Sequence, residues 1–325
     1  MITLGIDTSC DDTSASCVKD GKVLSNVVFS QIFHSKYGGV MPELAARDHL
    51  KNITFTVKEA IKPMGFNNLD NISATYGPGL IGSLLVGLSF AKSLSYVKNL
   101  PFYAVNHIEG HISSLFIENK ISCPFICLVV SGGHTELVYV KKMGDYEIMG
   151  RTLDDAAGES FDKVARMLKL TYPGGQVIEK LAEKGNSIAI KFPCSKLKDY
   201  NFSFSGIKTA VLYYLKNNPN AEIKDVAASF QKAVIDSLIN TTFECALKLK
   251  VNSVAISGGV SRNNKLRERF TEISKQHGMK FYCPEKGFCT DNAVMIALCA
   301  QHYFKKGIVS PFSIKANSRA SLIKN

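Results

Sequence analysis

The chain has 325 residues, of which 46% are hydrophobic and 21% are charged. This composition excludes a disordered chain, and the length allows two lobes that each bury a core. The formal net charge of +11 favours a polyanionic partner such as nucleic acid, because basic side chains neutralise phosphates.

The cysteine and hydropathy patterns exclude two further classes. The nine cysteines form no C-x-x-C pair, and such an odd, scattered set is typical of a reducing cytosol rather than of a disulfide framework. The segment 1–10 lacks the features of a secretory signal. The uncharged segment 71–91 contains too many glycine and proline residues for a membrane-spanning helix. We therefore expect a cytoplasmic protein without a membrane partner.

The first predicted element is a hairpin within residues 1–30, where apolar and polar residues alternate on both sides of an Asp20-Gly21 turn. A second strand–turn–strand segment spans 125–150. Helical periodicity follows each of them, over 41–65 and over 158–170. This repeated order predicts two α/β lobes built on one plan, with a ligand cleft between them.

Three later helices are also predicted. Residues 222–250 form a long amphipathic pattern. Residues 263–278 begin at asparagine and end at glycine, as capped helices do. In the segment 290–307, Thr290 or Asp291 is the expected N-cap, and Gly307 lies beyond the end.

His107 and His111 are four residues apart, so on a helix they share a face and can bind one divalent ion. A zincin protease needs a glutamate directly after the first histidine, whereas Glu109 comes two residues later and lies on another side of the helix. The spacing alone leaves both a metal site and a chance pairing open, and it does not supply the third ligand.

Small residues end four apolar runs, in the stretches TYGPGLIGS, VSGGHTE, YPGGQVIE and ISGGVSRNN. Backbone amides exposed after a strand can bind phosphate oxygens. Four such turns in a two-lobed α/β chain favour nucleotide binding, without selecting a nucleotide.

Acidic residues cluster near these turns, at Asp7, Asp11, Asp12, Asp154, Asp155, Glu159 and Asp162. They are candidates either for catalysis or metal binding, or for capping and solvation of loop ends. Glu159 and Asp162 are three residues apart on one helix face, which favours a shared role.

The segment 200–216 mixes aromatic, serine and lysine residues. It fits nucleic-acid binding by stacking and phosphate neutralisation, but Phe202 and Phe204 alternate as core residues of a strand would. Lys265, Arg267 and Arg269 are further basic candidates.

Taken together, the motifs resemble the TsaD family of tRNA N6-adenosine threonylcarbamoyltransferases. In chain order they are GIDTSCDDT, GGVMPELAARDH, GPGLIGSLLVG, NHIEGH, VSGGHTEL, DDAAGESFDKVAR, YPGG, FSFSGIKTAV, SGGVSRNNKLR and TDNAVMIA. The motif SGGHT, with His134, resembles the form found in the bacterial or organellar branch of the family. The resemblance implies an α/β fold of the actin, sugar-kinase and Hsp70 type, with duplicated lobes around a nucleotide cleft. We expect one lobe to comprise 1–106 and 291–325, closed by the last helix, and the other to comprise 107–290.

The same resemblance implies the site residues. His107, His111 and Asp291 match the ligands of one divalent metal per subunit, Fe2+ or Zn2+. Asp11 and Asp12 match acidic positions that could relay protons. The positions that match substrate-binding residues are Val129, Val130, Ser131, Gly132 and Gly133 along the phosphate and carbamoyl groups, Asp162, Gly175 and Glu179 at the ribose and adenine, and Asn263 beside the adenine.

The implied activity is that of a metal-dependent acyltransferase, an N6-L-threonylcarbamoyladenine synthase. The implied substrates are threonylcarbamoyl-AMP and the adenosine 3′ of the anticodon in tRNAs that read ANN codons. Bacterial members act with TsaB and TsaE, and organellar members act as homodimers. The alternatives are an ATPase of the same fold, a metallopeptidase and a nucleotide-binding scaffold. Ser9 replaces a glycine that such kinases need, Glu109 is misplaced for a peptidase, and a scaffold needs no metal ligands.

Overall fold

The computed structural model describes residues 1–117, 119–194 and 197–323. The chain divides into two compact units, the first formed by Met1–Lys120 with Pro284–Asn325 and the second by Ile121–Cys283. No helix in the described part of the chain combines the length and the apolar character that a membrane crossing requires.

The strands are β1 (Ile2–Asp7), β2 (Asp12–Lys19), β3 (Lys22–Ser30), β4 (Asn71–Gly77), β5 (Phe102–Asn106), β6 (Phe125–Val130), β7 (Thr135–Lys142), β8 (Asp145–Arg151), β9 (Ser253–Ser257) and β10 (Lys280–Tyr282). The α-helices are α1 (Pro42–Ile61), α2 (Ile81–Lys98), α3 (His107–Ser113), α4 (Ala157–Met167), α5 (Gly174–Ala182), α6 (Ser205–Asn217), α7 (Ile223–Lys248), α8 (Asn264–Gln276) and α9 (Ala293–Lys305). Short 3-10 helices lie at Ile32–Tyr37, Phe66–Asn68, Ser114–Phe116, Gly259–Arg262 and Lys286–Phe288.

The first unit contains a mixed sheet with strand order β3-β2-β1-β4-β5. Strands β3, β2 and β1 are antiparallel, whereas β4 and β5 run parallel to β1. Asp20 and Gly21 both have positive φ, at 46° and 82°, which is the geometry of a tight two-residue hairpin. Because side chains alternate along β1, Leu4 packs in the core with α1 and α2, while Gly5 faces the backbone of α9.

The second unit repeats this plan with strand order β10-β9-β6-β7-β8. Strands β8, β7 and β6 are antiparallel, and β9 and β10 run parallel to β6. Its core joins β6 to the helices through fully buried aromatic residues such as Phe230 of α7 and Phe270 of α8. The predicted duplication of one α/β plan is therefore confirmed.

Two local predictions about helices are wrong. Helix α7 has the predicted length, but the consecutive residues Val226–Gln231 are all buried, so it is a central helix rather than an amphipathic one. The N-cap of α9 is Asn292, whose side chain accepts a hydrogen bond from Met295 N, and not Thr290 or Asp291. The cap at Asn263 and the positive φ of Gly278 after α8 agree with the prediction.

The unit boundaries also differ from the expected 1–106 with 291–325 and 107–290, because α3 lies in the first unit. Ser113 Oγ donates a hydrogen bond of 2.6 Å to Met295 O of α9. A Cβ added at Gly110 would lie 2.9 Å from Ile296 Cδ1, so the two helices are in close contact. This packing places the histidine pair in the first unit, with α9.

Candidate functional site

The two histidines of α3 and Asp291 converge in the first unit. Asp291 Oδ1 lies 3.5 Å from His107 Nε2 and 3.3 Å from His111 Nε2. One ligand atom from each of the three residues lies within 4.8 Å of the others. Bonds of about 2.0–2.1 Å to a tetrahedral cation place neighbouring ligand atoms about 3.3 Å apart, so this spacing fits one ion.

Neighbouring residues set the orientation of the histidine helix. The Asn106 side chain caps α3 by accepting hydrogen bonds from Ile108 N and Glu109 N. Asp7, at the end of β1, places Oδ2 3.2 Å from His107 Nδ1, which leaves Nε2 directed at Asp291. A carboxylate behind a ligating imidazole fixes the ring and increases its basicity.

The electrostatics of these residues favour a cation. Burial lowers the pKa of His107, but the carboxylates of Asp291 and Asp7 outweigh burial and raise that pKa to about 10. Burial raises the pKa of Asp291, yet the two histidines hold it well below its usual value. The ring nitrogens of His111 are buried without a well-formed hydrogen bond within the described ranges. A divalent ion bound by His107, His111 and Asp291 would satisfy His111 and replace the proton on His107, so the donor set fits a metal.

Glu109 does not face these ligands. Its carboxylate accepts a hydrogen bond from the Tyr303 hydroxyl, and the residue is only 5% exposed. The predicted orientation of Glu109 away from the histidines is therefore confirmed, and the geometry of a zincin protease is absent from the described residues.

Asp11 and Asp12 lie in the loop after β1 and at the start of β2. Burial raises the pKa of Asp11. Burial, with further contributions from the charges of Asp291, Asp11 and Asp7, raises the pKa of Asp12 to about 7. A carboxyl with a pKa near neutrality can accept or return a proton under ordinary conditions.

In the second unit, the turn after β6 is held by Ser131. Ser131 N donates to His134 O at 2.8 Å, and Ser131 Oγ accepts from His134 N at 3.1 Å. A Cβ at Gly132 or Gly133 would meet no atom within 4 Å, so a ligand could approach the backbone there. The side chains of Val129 and Val130 are fully buried. Because β6 pairs with β7 and β9 there, neither residue is accessible in this structure, and the exposed part of the turn is Gly132 and Gly133.

The other predicted substrate residues connect α4, α5 and α8. Asp162 Oδ1 accepts from Gly174 N at 2.8 Å, and Glu179 Oε1 accepts from Asn264 N at 2.7 Å. Gly175 has open space at its Cβ position. Asn263 Oδ1 caps α8.

A cavity of about 620 Å³ opens beside these residues in the second unit. This volume suits a nucleoside-sized ligand. Its lining includes Glu179, Gln231, Lys232, Ile235, Lys265 and Arg269. Gln231 is 6% exposed, and its Oε1 accepts a hydrogen bond of 2.8 Å from Asn263 Nδ2. Sequence reasoning missed Gln231, because a glutamine within a helical pattern carries no motif.

The remaining acidic candidates contact other residues of the second unit. Asp154 accepts hydrogen bonds from Phe204 N and Ser203 Oγ at the start of α6, as the capping interpretation predicts. Asp155 pairs with Lys163 and Lys208, both at 2.5 Å. Glu159 pairs with Lys163, whereas Asp162 accepts a hydrogen bond from Gly174 N, so these two contacts are separate rather than shared.

The aromatic and basic candidates are largely engaged within the second unit. Phe202 and Phe204 are buried and stacked on each other, as expected if they are core residues rather than a surface for nucleic acid. Lys265 pairs with Glu268 at 3.0 Å, and Arg269 pairs with Glu272 at 2.5 Å. Arg267 Nε donates to Ser261 O at 2.6 Å.

The duplicated plan of two mixed sheets defines an α/β protein of the actin, sugar-kinase and Hsp70 type. A solved structure titled as the activator of the 2-hydroxyisocaproyl-CoA dehydratase from Clostridium difficile with bound ADPNP matches with a TM-score of 0.55 at 13% identity. The match covers 94% of this chain and 97% of that one, and it supports the fold alone.

Sequence comparison then identifies the family. The family model described as TsaD, tRNA N6-adenosine threonylcarbamoyltransferase, matches residues 22–298. A protein of that name from Caldicellulosiruptor bescii is 50% identical over 332 residues, covering 99% of each chain. One from Clostridioides difficile is 49% identical over 327 residues, covering 97% of each. The chain belongs to the TsaD family.

Proposed function

We propose that the chain transfers the threonylcarbamoyl group of threonylcarbamoyl-AMP to N6 of the adenosine 3′ of the anticodon in tRNAs that read ANN codons. The convergence of His107, His111 and Asp291 on one cation-sized site is the observation that carries this proposal. The near-complete match to relatives named for this transfer supports it.

The chemistry is an acyl transfer from a mixed anhydride. A bond forms between N6 and the carbamoyl carbon, the bond from that carbon to the phosphate oxygen breaks, and N6 loses a proton. A divalent ion at the histidine site would supply Lewis-acid polarisation and orientation of the acyl group. The turn at Ser131–Gly133 provides backbone against which the phosphate of the departing AMP would lie. Asp12 is our candidate to accept the proton.

Two imidazole nitrogens and one carboxylate oxygen suit Fe2+ or Zn2+ and leave coordination positions for substrate. The net charge of +11 suits tRNA as the partner. We include TsaB and TsaE as expected protein partners, with a homodimer as the alternative assembly.

The transfer assay tests the proposal directly. Purified chain is incubated with threonylcarbamoyl-AMP and unmodified tRNA, with and without TsaB and TsaE, and the nucleosides are analysed by mass spectrometry. We expect threonylcarbamoyladenosine in at least one mixture. Its absence from every mixture, with metal bound at one ion per chain, would favour an ATPase or a nucleotide-binding scaffold of the same fold.

Replacing Asp12 by asparagine tests the proton acceptor. Because Asp12 must be ionised to accept a proton, and its pKa is raised to about 7, the wild-type rate should increase with pH up to that region. A bound cation would shift this limb to lower pH. Asp12→Asn should remove the limb and lower kcat by about 10²–10⁴-fold. A pH–rate profile measures both effects, and an unchanged limb in the variant would exclude this role.

Replacing Asn263 by aspartate tests the nucleoside pocket. The variant keeps the oxygen that caps α8 and loses the hydrogen-bond donor that contacts Gln231. We expect AMP to bind about tenfold more weakly. The loss of the hydrogen bond to Gln231 and the negative charge added beside the pocket together cost about 1.4 kcal/mol of binding free energy. Titration calorimetry with AMP, and with Zn2+ in parallel, measures this. Asn218→Asp, on the exposed end of α6, is the control, and equal weakening of Zn2+ binding would contradict the assignment.

A further inference from the structure

Helix α3 carries two of the three proposed metal ligands, yet it contains only the seven residues His107–Ser113. A helix of two turns is not stable by itself in water. Its rotation and position must therefore come from contacts with the rest of the first unit. These contacts decide whether His107 and His111 reach Asp291.

Helix α3 is buried along its whole length, and α9 contacts it on the side that carries Glu109. At about 100° per residue, Glu109 lies about 200° around the helix from both histidines. Ser113 lies about 40° from Glu109, and Gly110 lies between the Glu109 side and His107. Both contact α9, since Ser113 Oγ donates to Met295 O and a Cβ at Gly110 would lie 2.9 Å from Ile296 Cδ1. The side of α3 that carries Glu109 and Ser113 thus packs on α9, and the histidines project from another side.

Glu109 lies on the side of α3 that packs on α9. It is only 5% exposed, and its carboxylate accepts a hydrogen bond from the Tyr303 hydroxyl near the end of α9. Tyr303 packs with Met295, Ile296 and Cys299, which share one side of α9 with it. Burial first, and the nearby Glu109 carboxylate second, raise the pKa of Cys299 on α9 well above its ordinary value.

Helix α9 also fixes the third ligand. Asp291 directly precedes Asn292, the residue that caps α9, so its position follows the start of that helix. A contact that locks α3 on α9 therefore sets the distances between the histidine nitrogens and the Asp291 carboxylate. Those distances are 3.5 Å and 3.3 Å in the structure.

We propose that Glu109 is a positioning residue, and that its hydrogen bond with Tyr303 locks the rotation of α3 on α9 so that His107, His111 and Asp291 bind one divalent ion. This inference rests on the proposed metal site. Glu109 acts through the histidines and touches neither substrate nor metal.

The test measures metal binding separately from activity. Metal-free wild type, Glu109→Gln, Tyr303→Phe and the double variant are titrated with Co2+, followed by its visible absorption, and then with Zn2+ in competition. Tyr96→Phe removes a hydroxyl from an exposed position on α2 of the same unit and is the matched control. If Tyr303→Phe folds poorly, Glu109→Gln carries the comparison, because it retains the size of the side chain.

We expect Tyr303→Phe to bind Co2+ about 10–100-fold more weakly, with an altered absorption spectrum, as when residues supporting metal ligands are changed. Glu109→Gln keeps an acceptor oxygen but loses its charge, so it should weaken Co2+ binding in the same direction and by less. The double variant should lose little more than Tyr303→Phe alone, since that change already removes the contact. At saturating Zn2+ the transfer rate should return to within about threefold of wild type, because occupancy is restored by mass action.

Three results would overturn the inference. Co2+ affinity within twofold of wild type in both single variants, with only a lower melting temperature, would make the pair merely structural. A rate that stays low at saturating Zn2+ in Glu109→Gln would make Glu109 a direct participant. Failure of wild type and of Tyr96→Phe to bind one Co2+ per chain would instead refute the proposed metal site itself.

Discussion

His111→Asn is expected to abolish binding of the divalent ion and to lower the transfer rate by about 10³-fold. His111 is completely buried, and its Nε2 lies 3.3 Å from Asp291 Oδ1, so the variant loses one of the three side chains that converge on the proposed metal site. Lewis-acid polarisation by a metal contributes several kcal/mol to a transition state, and each 1.36 kcal/mol is about tenfold in rate. Metal analysis by mass spectrometry and the transfer assay measure the two effects.

Asparagine is chosen because it is smaller than histidine but still polar. It therefore keeps a polar group in the buried site, where alanine would leave an apolar cavity. His277→Asn is the control, since His277 lies at the end of α8 in the second unit and stacks on Phe243. It should retain metal and activity. A His111→Asn protein that contains one ion per chain, or modifies tRNA at the wild-type rate, would show that the metal lies elsewhere.

Gly5→Ala is expected to destabilise the first unit strongly. A Cβ at this position in β1 would lie 2.2 Å from Ala293 O and 2.8 Å from Ala297 N, and both are backbone atoms of α9. The helix must move away from the sheet, at a cost of about 3 kcal/mol in the free energy of unfolding. This corresponds to a melting temperature about 6–12 °C lower in scanning calorimetry.

Because Asp291 precedes α9, the same displacement should weaken Zn2+ binding. The control is Gly287→Ala in the same unit, where an added Cβ meets no atom within 4 Å. It should melt within about 1–2 °C of wild type. A Gly5→Ala protein as stable as Gly287→Ala would mean that β1 and α9 are less closely packed than the structure shows.

The sequence predicted the repeated plan of the fold because local signals mark it. Alternating residues, the Asp20-Gly21 turn and the two following helices each express a short-range preference. The burial of α7 on most sides was not predictable in this way. It depends on α5 and α8 packing around it, and polar residues such as Gln231 are buried there through partners distant in sequence.

The candidate site, like the fold, was predictable only where the signal is local in sequence. The spacing of His107 and His111 suggested a shared ligand, but only the family resemblance pointed to Asp291, which lies far along the chain. The support of His107 by Asp7 depends on how β1 and β5 lie in one sheet, which no local pattern records. By contrast, Asn106 directly before the histidine helix is an ordinary N-cap signal, so this cap is predictable from the sequence.

The first unit is assembled from both ends of the chain, and this has a consequence for biosynthesis. His111 is made 180 residues before Asp291, since 291 − 111 = 180. At roughly 5–20 residues per second, the ribosome needs about 9–36 s to cover that interval. During this time the growing chain presents two imidazoles without their carboxylate, and without the helix that fixes them. The complete set of three proposed ligands therefore exists only near the end of translation, so we expect the nascent chain to bind metal weakly until Asp291 and α9 have been made.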